Sequence, residues 1–247
     1  MENQFDPRTT SVNAASVGVP RAARDVGLRS YMLSVYNYMA SGVLLTGIVA
    51  MVFANSSLIQ LLFNQATGRP SILYWVALLA PLGVVMWLQF GINRISTGTA
   101  KALFFLYAGL LGVSLSTLFL VYTGGSIAQT FFATSAAFLG LSLYGYTTKK
   151  DLSGFGTFLI MGVVGLFVAM MINMFLRSPA MDMAISAIGV LLFAGLTAYD
   201  TQKIKSQYLA VGGTAMAVKA SILGALQLYL DFINMFLFML RFMGNRR

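Results

Sequence analysis

Residues 219–242 read KASILGALQLYLDFINMFLFMLRF, an apolar stretch interrupted near its middle by an aspartate, Asp231. A helix of this length can cross the hydrocarbon core of a bilayer, which requires about 20 predominantly apolar residues. An acid inside such a helix costs about 2.5–3.5 kcal/mol on insertion scales and is a functional hypothesis by default. The stretch therefore predicts a membrane-spanning helix that carries a functional carboxyl group.

Similar windows recur along the rest of the chain. The seven apolar windows are 31–53, 73–92, 101–122, 126–147, 154–176, 183–204 and 219–242. The composition agrees, because 58% of the 247 residues are hydrophobic and only 9% are charged, against about a quarter charged in a soluble domain. The sequence predicts an all-α membrane protein, with seven transmembrane helices joined by short loops over residues 31–247.

Residues 1–30 contain no such window and are predicted to form a disordered cytoplasmic tail, with room for a short helix from Pro20. Eleven of the 16 Lys and Arg residues lie in this tail or in the loops after the second, fourth and sixth windows. This bias predicts that the N-terminus is cytoplasmic. Seven full spans would then place Arg241, Arg246 and Arg247 outside. The alternative is a last segment that does not fully cross the membrane.

The composition also excludes several chemistries. The chain has no Cys and no His, which removes disulfides, thiol nucleophiles, imidazole-ligated metals and histidine-based catalysis. It has no phosphate-binding glycine motif and no basic stripe interleaved with aromatic residues, so neither a nucleotide nor a nucleic acid is an expected ligand. We therefore expect no catalytic residues and a protein that is not an enzyme.

A second acid, Asp200, lies near the end of the sixth window in FAGLTAYDTQKIK (193–205). If this helix continues past Lys203, Asp200 and Asp231 can meet on antiparallel neighbours. The alternative is an interfacial Asp200 paired with Lys203 or Lys205. Gln227 and Asn234 are predicted to support the pair as polar residues, because they stand four residues before and three after Asp231, on its face of the helix.

Two carboxyl groups in contact at low dielectric cannot easily both ionise, so they titrate as a unit and can sense pH without histidine. Their oxygens, with the amide oxygens of Gln227 and Asn234, are the ligand type that Ca²⁺ prefers, so Asp200 and Asp231 are also the candidate Ca²⁺ ligands. Arg94, at the end of the second window, is either a residue that reaches the cytoplasmic interface or a partner that keeps Asp200 ionised.

Four blocks of the sequence resemble the Bax inhibitor family of seven-helix membrane proteins, also called the transmembrane Bax inhibitor motif family, in its bacterial branch. The blocks are GLRSYMLSVYNYMASGV (27–43), STGTAKALFFLYAGLLGVSLS (96–116), FAGLTAYDTQKIK (193–205) and ALQLYLDFINMFLFMLRF (225–242). The LTAYDTQ block with an aspartate in the last span is the most specific of these features.

The resemblance implies a bundle around a central seventh helix and an acidic pair that acts as a pH-sensitive switch for Ca²⁺ leak. Asp200 and Asp231 match the pair, and Arg94 matches the arginine that engages it. The resemblance also implies a bacterial inner membrane location and, as an alternative function, regulation of a membrane-bound ATP-dependent protease. The chain lacks the long basic C-terminal tail of the animal death suppressor, so cell-death suppression is not carried over.

One further alternative is an intramembrane aspartyl protease, which also uses two aspartates on successive helices. That class expects Gly-x-Gly-Asp at the second acid, whereas this chain has Leu228, Tyr229 and Leu230 before Asp231. The pH-sensitive cation leak is therefore the leading hypothesis.

Overall fold

The computed structural model describes residues 21–64 and 67–247, and it confirms an all-α protein with seven helices long and apolar enough to cross a membrane. The α-helices in these ranges are α1 (Arg21–Ala54), α2 (Ile72–Gly91), α3 (Thr97–Leu115), α4 (Leu118–Val121), α5 (Gly124–Thr147), α6 (Ser153–Leu176), α7 (Pro179–Val211) and α8 (Met216–Met243). The short helix α4 belongs to the same membrane span as α3, so the eighth helix, α8, is the seventh span.

The third span is broken between α3 and α4 by two hydroxyl residues. The Ser116 hydroxyl donates to the carbonyl of Val113 at 2.6 Å, and the Thr117 hydroxyl donates to that of Ser114 at 3.0 Å. Such local bonds compete with the regular helical pattern. The predicted window 101–122 is therefore filled by two helical segments.

Helix α8 lies at the centre of the bundle, as the resemblance implied. It packs against α1, α3, α5 and α7, whereas α2 packs on α3 and α6 packs on α7. In its most apolar window 67% of the residues are buried, against 17% in α2 and 11% in α6. Helix α8 carries an acid, Asp231, at membrane depth, and such a group faces the interior of a bundle rather than lipid.

The first helix begins earlier than the sequence predicts. Helix α1 runs without interruption from Arg21, the first described residue, to Ala54, so residues 21–30 are helical rather than a disordered tail. The short helix expected from Pro20 is continuous with the first span. The prediction for residues 1–20 lies outside the described residues.

The bundle has two ends, which we name by the chain termini. At the N-terminal face, the start of α1 meets the end of α7, where the rings of Tyr31 and Tyr208 lie 5.2 Å apart. At the C-terminal face, the residues after α8 pair with the chain between α4 and α5: Arg247 N–H donates to Val121 O at 2.9 Å, and Thr123 N–H donates to Asn245 O at 3.2 Å.

The C-terminal arginines are accommodated at this second face. Helix α8 has 28 residues and is about 42 Å long at 1.5 Å per residue, enough to cross a core of about 30 Å. Arg241 and Arg246 both pair with Asp182 at the start of α7, at 3.4 and 3.8 Å. The described chain therefore favours a seventh segment that crosses fully over one that re-enters.

Helices α5 and α7 approach closely at Gly145. A β-carbon built on Gly145 would collide with the backbone carbonyl of Ala198 on α7. Ala198 precedes Asp200 by two residues, so this contact fixes α7 beside one of the two acids.

A buried hydroxyl pair ties α8 to the helices on its other side. The Thr46 hydroxyl of α1 donates to Ala108 O of α3 at 2.8 Å. The Tyr229 hydroxyl of α8 lies 2.6 Å from the same Thr46 oxygen. Because Thr46 has a single hydroxyl proton, Tyr229 is the donor in the second bond. One hydrogen-bond chain thus joins three helices.

Replacing Tyr229 with phenylalanine removes this bond while keeping the ring. We expect Tyr229→Phe to lower the free energy of unfolding by about 1 kcal/mol, the usual net value of a buried hydrogen bond. Denaturation in detergent micelles measures it. Tyr144→Phe, at an exposed tyrosine of α5, is the matched control and should change nothing. Equal effects in both variants would contradict this account.

Candidate functional site: a buried carboxyl pair

The structure brings Asp200 of α7 and Asp231 of α8 together. Only 4% and 5% of their surfaces are exposed, and their carboxyl groups lie within hydrogen-bonding reach of each other. This contact is possible because α7 continues past Lys203 to Val211, as the pairing of the two acids requires. The helix extends beyond its apolar window because charged residues are tolerated in a helix once it leaves the hydrocarbon.

The depth of the pair follows from Gln202, two residues after Asp200. Its side-chain amide donates to Lys150 O at 2.8 Å and its carbonyl oxygen accepts from Leu152 N–H at 2.9 Å. Lys150 and Leu152 belong to the turn between α5 and α6 at the N-terminal face. Since two residues of helix rise only about 3 Å, Asp200 lies close beneath that face.

Each carboxyl group of the pair keeps one oxygen without a hydrogen-bond partner. These buried atoms are Oδ1 of Asp200 and Oδ2 of Asp231, which stand with the hydroxyl of Tyr31 as the buried unpaired side-chain oxygens of the described chain. An unsatisfied buried polar atom is costly. If a proton lies between the two carboxyl groups, one acid becomes a hydrogen-bond donor and the other becomes its acceptor. The arrangement therefore suits a pair that shares a proton.

The supporting amides predicted from the sequence separate in the structure. Gln227 lies within hydrogen-bonding reach of the Asp200 carboxyl group. Asn234 instead donates to Leu230 O of its own helix at 2.8 Å and lines a cavity of ≈ 380 Å³ formed with α4, α6 and α7. The predicted supporting role of Asn234 is therefore not seen, since its side chain bonds the backbone and is not among the groups that bond either carboxyl group.

Arg94 does not reach the pair. It lies in the turn after α2 with an exposed side chain, and α2 packs on α3 rather than on α7. Within the described chain the ion pairs to acids are those of Asp182, so none joins Arg94 to Asp200. The predicted Arg94–Asp200 pair is therefore wrong.

Lys203, one turn after Asp200, is the cation whose charge interacts electrostatically with both acids. Its ammonium lies 5.8 Å from the centre of the Tyr199 ring. Lys205, by contrast, donates to Tyr146 O of α5 at 2.6 Å. The sequence offered both lysines as partners of Asp200, and the structure separates their roles.

A hydroxyl cluster beside Asp200 could not be read from the sequence. The Tyr36 hydroxyl of α1 lies 2.7 Å from that of Ser142 on α5, which lies 3.0 Å from that of Thr201 on α7. The three residues are far apart in the chain and follow no local pattern. Tyr36 and Ser142 also line a cavity of ≈ 360 Å³ between α1 and α5.

The pair provides few ligands for a metal ion. The described residues contain no group of three or more acidic, His or Cys side chains that could hold one. Two carboxyl groups and the Gln227 amide supply fewer oxygens than the six to eight that Ca²⁺ takes. The pair alone therefore supplies too few oxygens for a complete Ca²⁺ coordination shell.

Comparison with known proteins agrees with the fold. The family model Bax1-I, described as inhibitor of apoptosis-promoting Bax1, matches residues 28–247. The chain is 49% identical over 224 residues to protein RP147 of Rickettsia prowazekii, covering 90% of this chain and 92% of that protein. It is 47% identical over 235 residues to the inner membrane protein YbhL of Escherichia coli K12, covering 94% and 97%. With this match over nearly the whole described bundle, the chain belongs to the Bax inhibitor (Bax1-I) family.

Proposed function

We propose that this protein is a pH-sensitive cation leak, in which the protonation of Asp200 and Asp231 sets the packing of α7 against α8. The observation that carries the proposal is the contact of two buried carboxyl groups, each with an oxygen that lacks a hydrogen-bond partner. Such a contact is stable when it holds a proton and unstable when both groups are charged.

The direction of the response follows from the charges. At acidic pH the pair is protonated and hydrogen-bonded, which holds α7 to α8. As the pH rises the proton is lost, and two negative charges within hydrogen-bonding reach repel each other and attract a cation. We propose Ca²⁺ as this cation because it binds carboxylate and amide oxygens. The leak is therefore expected to rise with pH.

The proposed setting is the inner membrane, with the N-terminal face in the cytoplasm. The E. coli relative is named an inner membrane protein, and the excess of Lys and Arg on the N-terminal side supports this orientation. The pair lies close beneath the same face, so the proposed sensor responds to cytoplasmic pH.

We propose a non-enzymatic role for the two acids. Leu228 and Tyr229, which precede Asp231, are fully buried, and they replace the Gly-x-Gly that an intramembrane aspartyl protease is expected to carry there. Regulation of a membrane-bound ATP-dependent protease stays a prediction of the sequence resemblance.

Ca²⁺ flux into liposomes, measured between about pH 5 and pH 8, tests the proposal. Lys203→Gln removes the cation that acts on both acids. We expect its flux curve to move to higher pH by up to about one unit, equivalent to about 1.4 kcal/mol. Without the lysine charge, the pair keeps its proton to a higher pH.

Lys205→Gln is the matched control, because Lys205 is bonded to Tyr146 and lies outside the contacts of the pair. Its flux curve should overlie that of the wild type. A wild-type flux that equals that of protein-free liposomes, or that is constant over the whole range, would contradict the leak itself. A shift in Lys205→Gln as large as that in Lys203→Gln would contradict the role of Lys203.

A further inference from the structure

A pocket of ≈ 440 Å³ opens at the C-terminal face, between the α6–α7 turn and the end of α8. It lies at the opposite end of the bundle from the carboxyl pair. Three arginines and one acid line it: Arg177 from the turn, Arg241 and Arg246 from the C-terminal segment, and Asp182 from α7. The pocket is thus built by chain segments far apart in sequence.

The charges in this pocket are not balanced. Both carboxylate oxygens of Asp182 are engaged, Oδ1 with Arg241 at 3.4 Å and Oδ2 with Arg246 at 3.8 Å. Arg177 is exposed and makes no ion pair with any acid in residues 21–64 and 67–247. Three positive charges around one negative charge leave an excess of two, which favours an anionic ligand.

The residue type points to a phosphate. The planar guanidinium donates two parallel hydrogen bonds to phosphate oxygens, a geometry that a single ammonium group cannot match. Arg177 adopts a left-handed backbone conformation, with φ of 51°, which ends α6 and turns the chain back into α7. The turn therefore brings Arg177 into the lining of the pocket.

The surroundings of the pocket point to a lipid as the source of that phosphate. Phe175 and Met183 beside the turn, and Phe242 at the end of α8, have exposed apolar side chains. They lie at the end of membrane-spanning helices, where headgroups meet acyl chains. A free phosphate ion makes no contact with this apolar rim, whereas the acyl chains of a phospholipid cover it.

We infer that this arginine pocket, formed by Arg177, Arg241, Arg246 and Asp182, binds the phosphate of an anionic phospholipid headgroup. A lipid with net negative charge, such as phosphatidylglycerol, is favoured over phosphatidylcholine. The choline group brings its own positive charge to a pocket that already has an excess.

Native mass spectrometry of the full chain in detergent, with equal amounts of phosphatidylglycerol and phosphatidylcholine, tests the inference. The wild type should retain phosphatidylglycerol preferentially. The double variant Arg177→Gln with Arg246→Gln should lose this preference by about tenfold or more, since each arginine makes charge-assisted bonds. Arg69→Gln, in the loop between α1 and α2 at the same face, should behave as the wild type.

Three outcomes would overturn the inference. These are equal retention of both lipids by the wild type, an equal loss in Arg69→Gln, and displacement of phosphatidylglycerol by an equal concentration of inorganic phosphate. The last result would assign the pocket to a free anion. If the double variant does not fold, Arg177→Gln alone carries the test, because Arg177 takes no part in the ion pairs of Asp182.

Discussion

Replacing Asp231 with asparagine is expected to abolish the pH dependence of Ca²⁺ leak. Asparagine has the same shape as a protonated aspartic acid and offers a permanent donor to Asp200. The variant therefore mimics the joined state of the pair at every pH. We expect a flux at pH 8 about tenfold below that of the wild type, since losing the repulsion of two close charges is worth at least about 1.4 kcal/mol.

Asn234→Leu is the matched control for this variant. Asn234 is an intramembrane amide on the same helix, one turn from Asp231, but its side chain bonds Leu230 O and neither carboxyl group of the pair. Its flux curve should keep the wild-type pH dependence. Asp200→Asn should reproduce the result of Asp231→Asn, because the pair titrates as a unit. Wild-type pH profiles in both aspartate variants would refute the gating role of the pair.

The acid in the α5–α6 turn does not interfere with this measurement. Asp151 lies at the N-terminal face near the pair, and hydrogen bonds from Ser153 lower its pKa below the usual value of an aspartate. It therefore stays ionised throughout the range of the assay. A change of flux between about pH 5 and pH 8 thus does not come from this carboxyl group.

Replacing Gly145 with alanine is expected to destabilise the bundle by about 1–3 kcal/mol, the usual cost of overpacking. The added methyl group would collide with the backbone carbonyl of Ala198, and a backbone atom cannot rotate away as a side chain can. Helices α5 and α7 must then separate beside Asp200. Thermal or denaturant unfolding in detergent micelles measures the loss.

Gly140→Ala is the control on the same helix. A β-carbon at Gly140 meets nothing within 4 Å, and alanine is favoured over glycine in a helix by up to about 1 kcal/mol. Gly140→Ala should therefore be neutral or slightly stabilising. Similar destabilisation in both variants would contradict the close approach of α5 and α7.

The number of spans and the two acids could be predicted from the sequence because both depend on local signals. Hydropathy identifies a span directly, and an acid such as Asp231 inside an apolar run stands out without knowledge of its neighbours. The ends of the helices were less well predicted. Helix α1 already includes Arg21, the first described residue, and α7 continues to Val211, in both cases through charged residues that hydropathy assigns to a tail or loop.

The partners of the acids could not be predicted, because they depend on how helices rotate and pack. Asn234 has a suitable spacing and Arg94 a suitable place at the end of its window, yet Asn234 bonds its own backbone. Arg94 lies in an exposed turn after an outer helix. The spacing alone could not show which of Lys203 and Lys205 interacts with Asp200. The arrangement of Asp182 with Arg241 and Arg246 depends on contact between the two ends of the α7–α8 hairpin, which no local pattern encodes.

Gln202 has a mechanical consequence for studying this protein. Because its amide binds the α5–α6 turn through both Lys150 and Leu152, a shift of α7 at Asp200 pulls that exposed turn with it. The chain contains no cysteine, so a single cysteine introduced at Lys149 would carry one fluorophore and no other. The state of two acids hidden inside the bundle thus becomes visible as the motion of a dye in water.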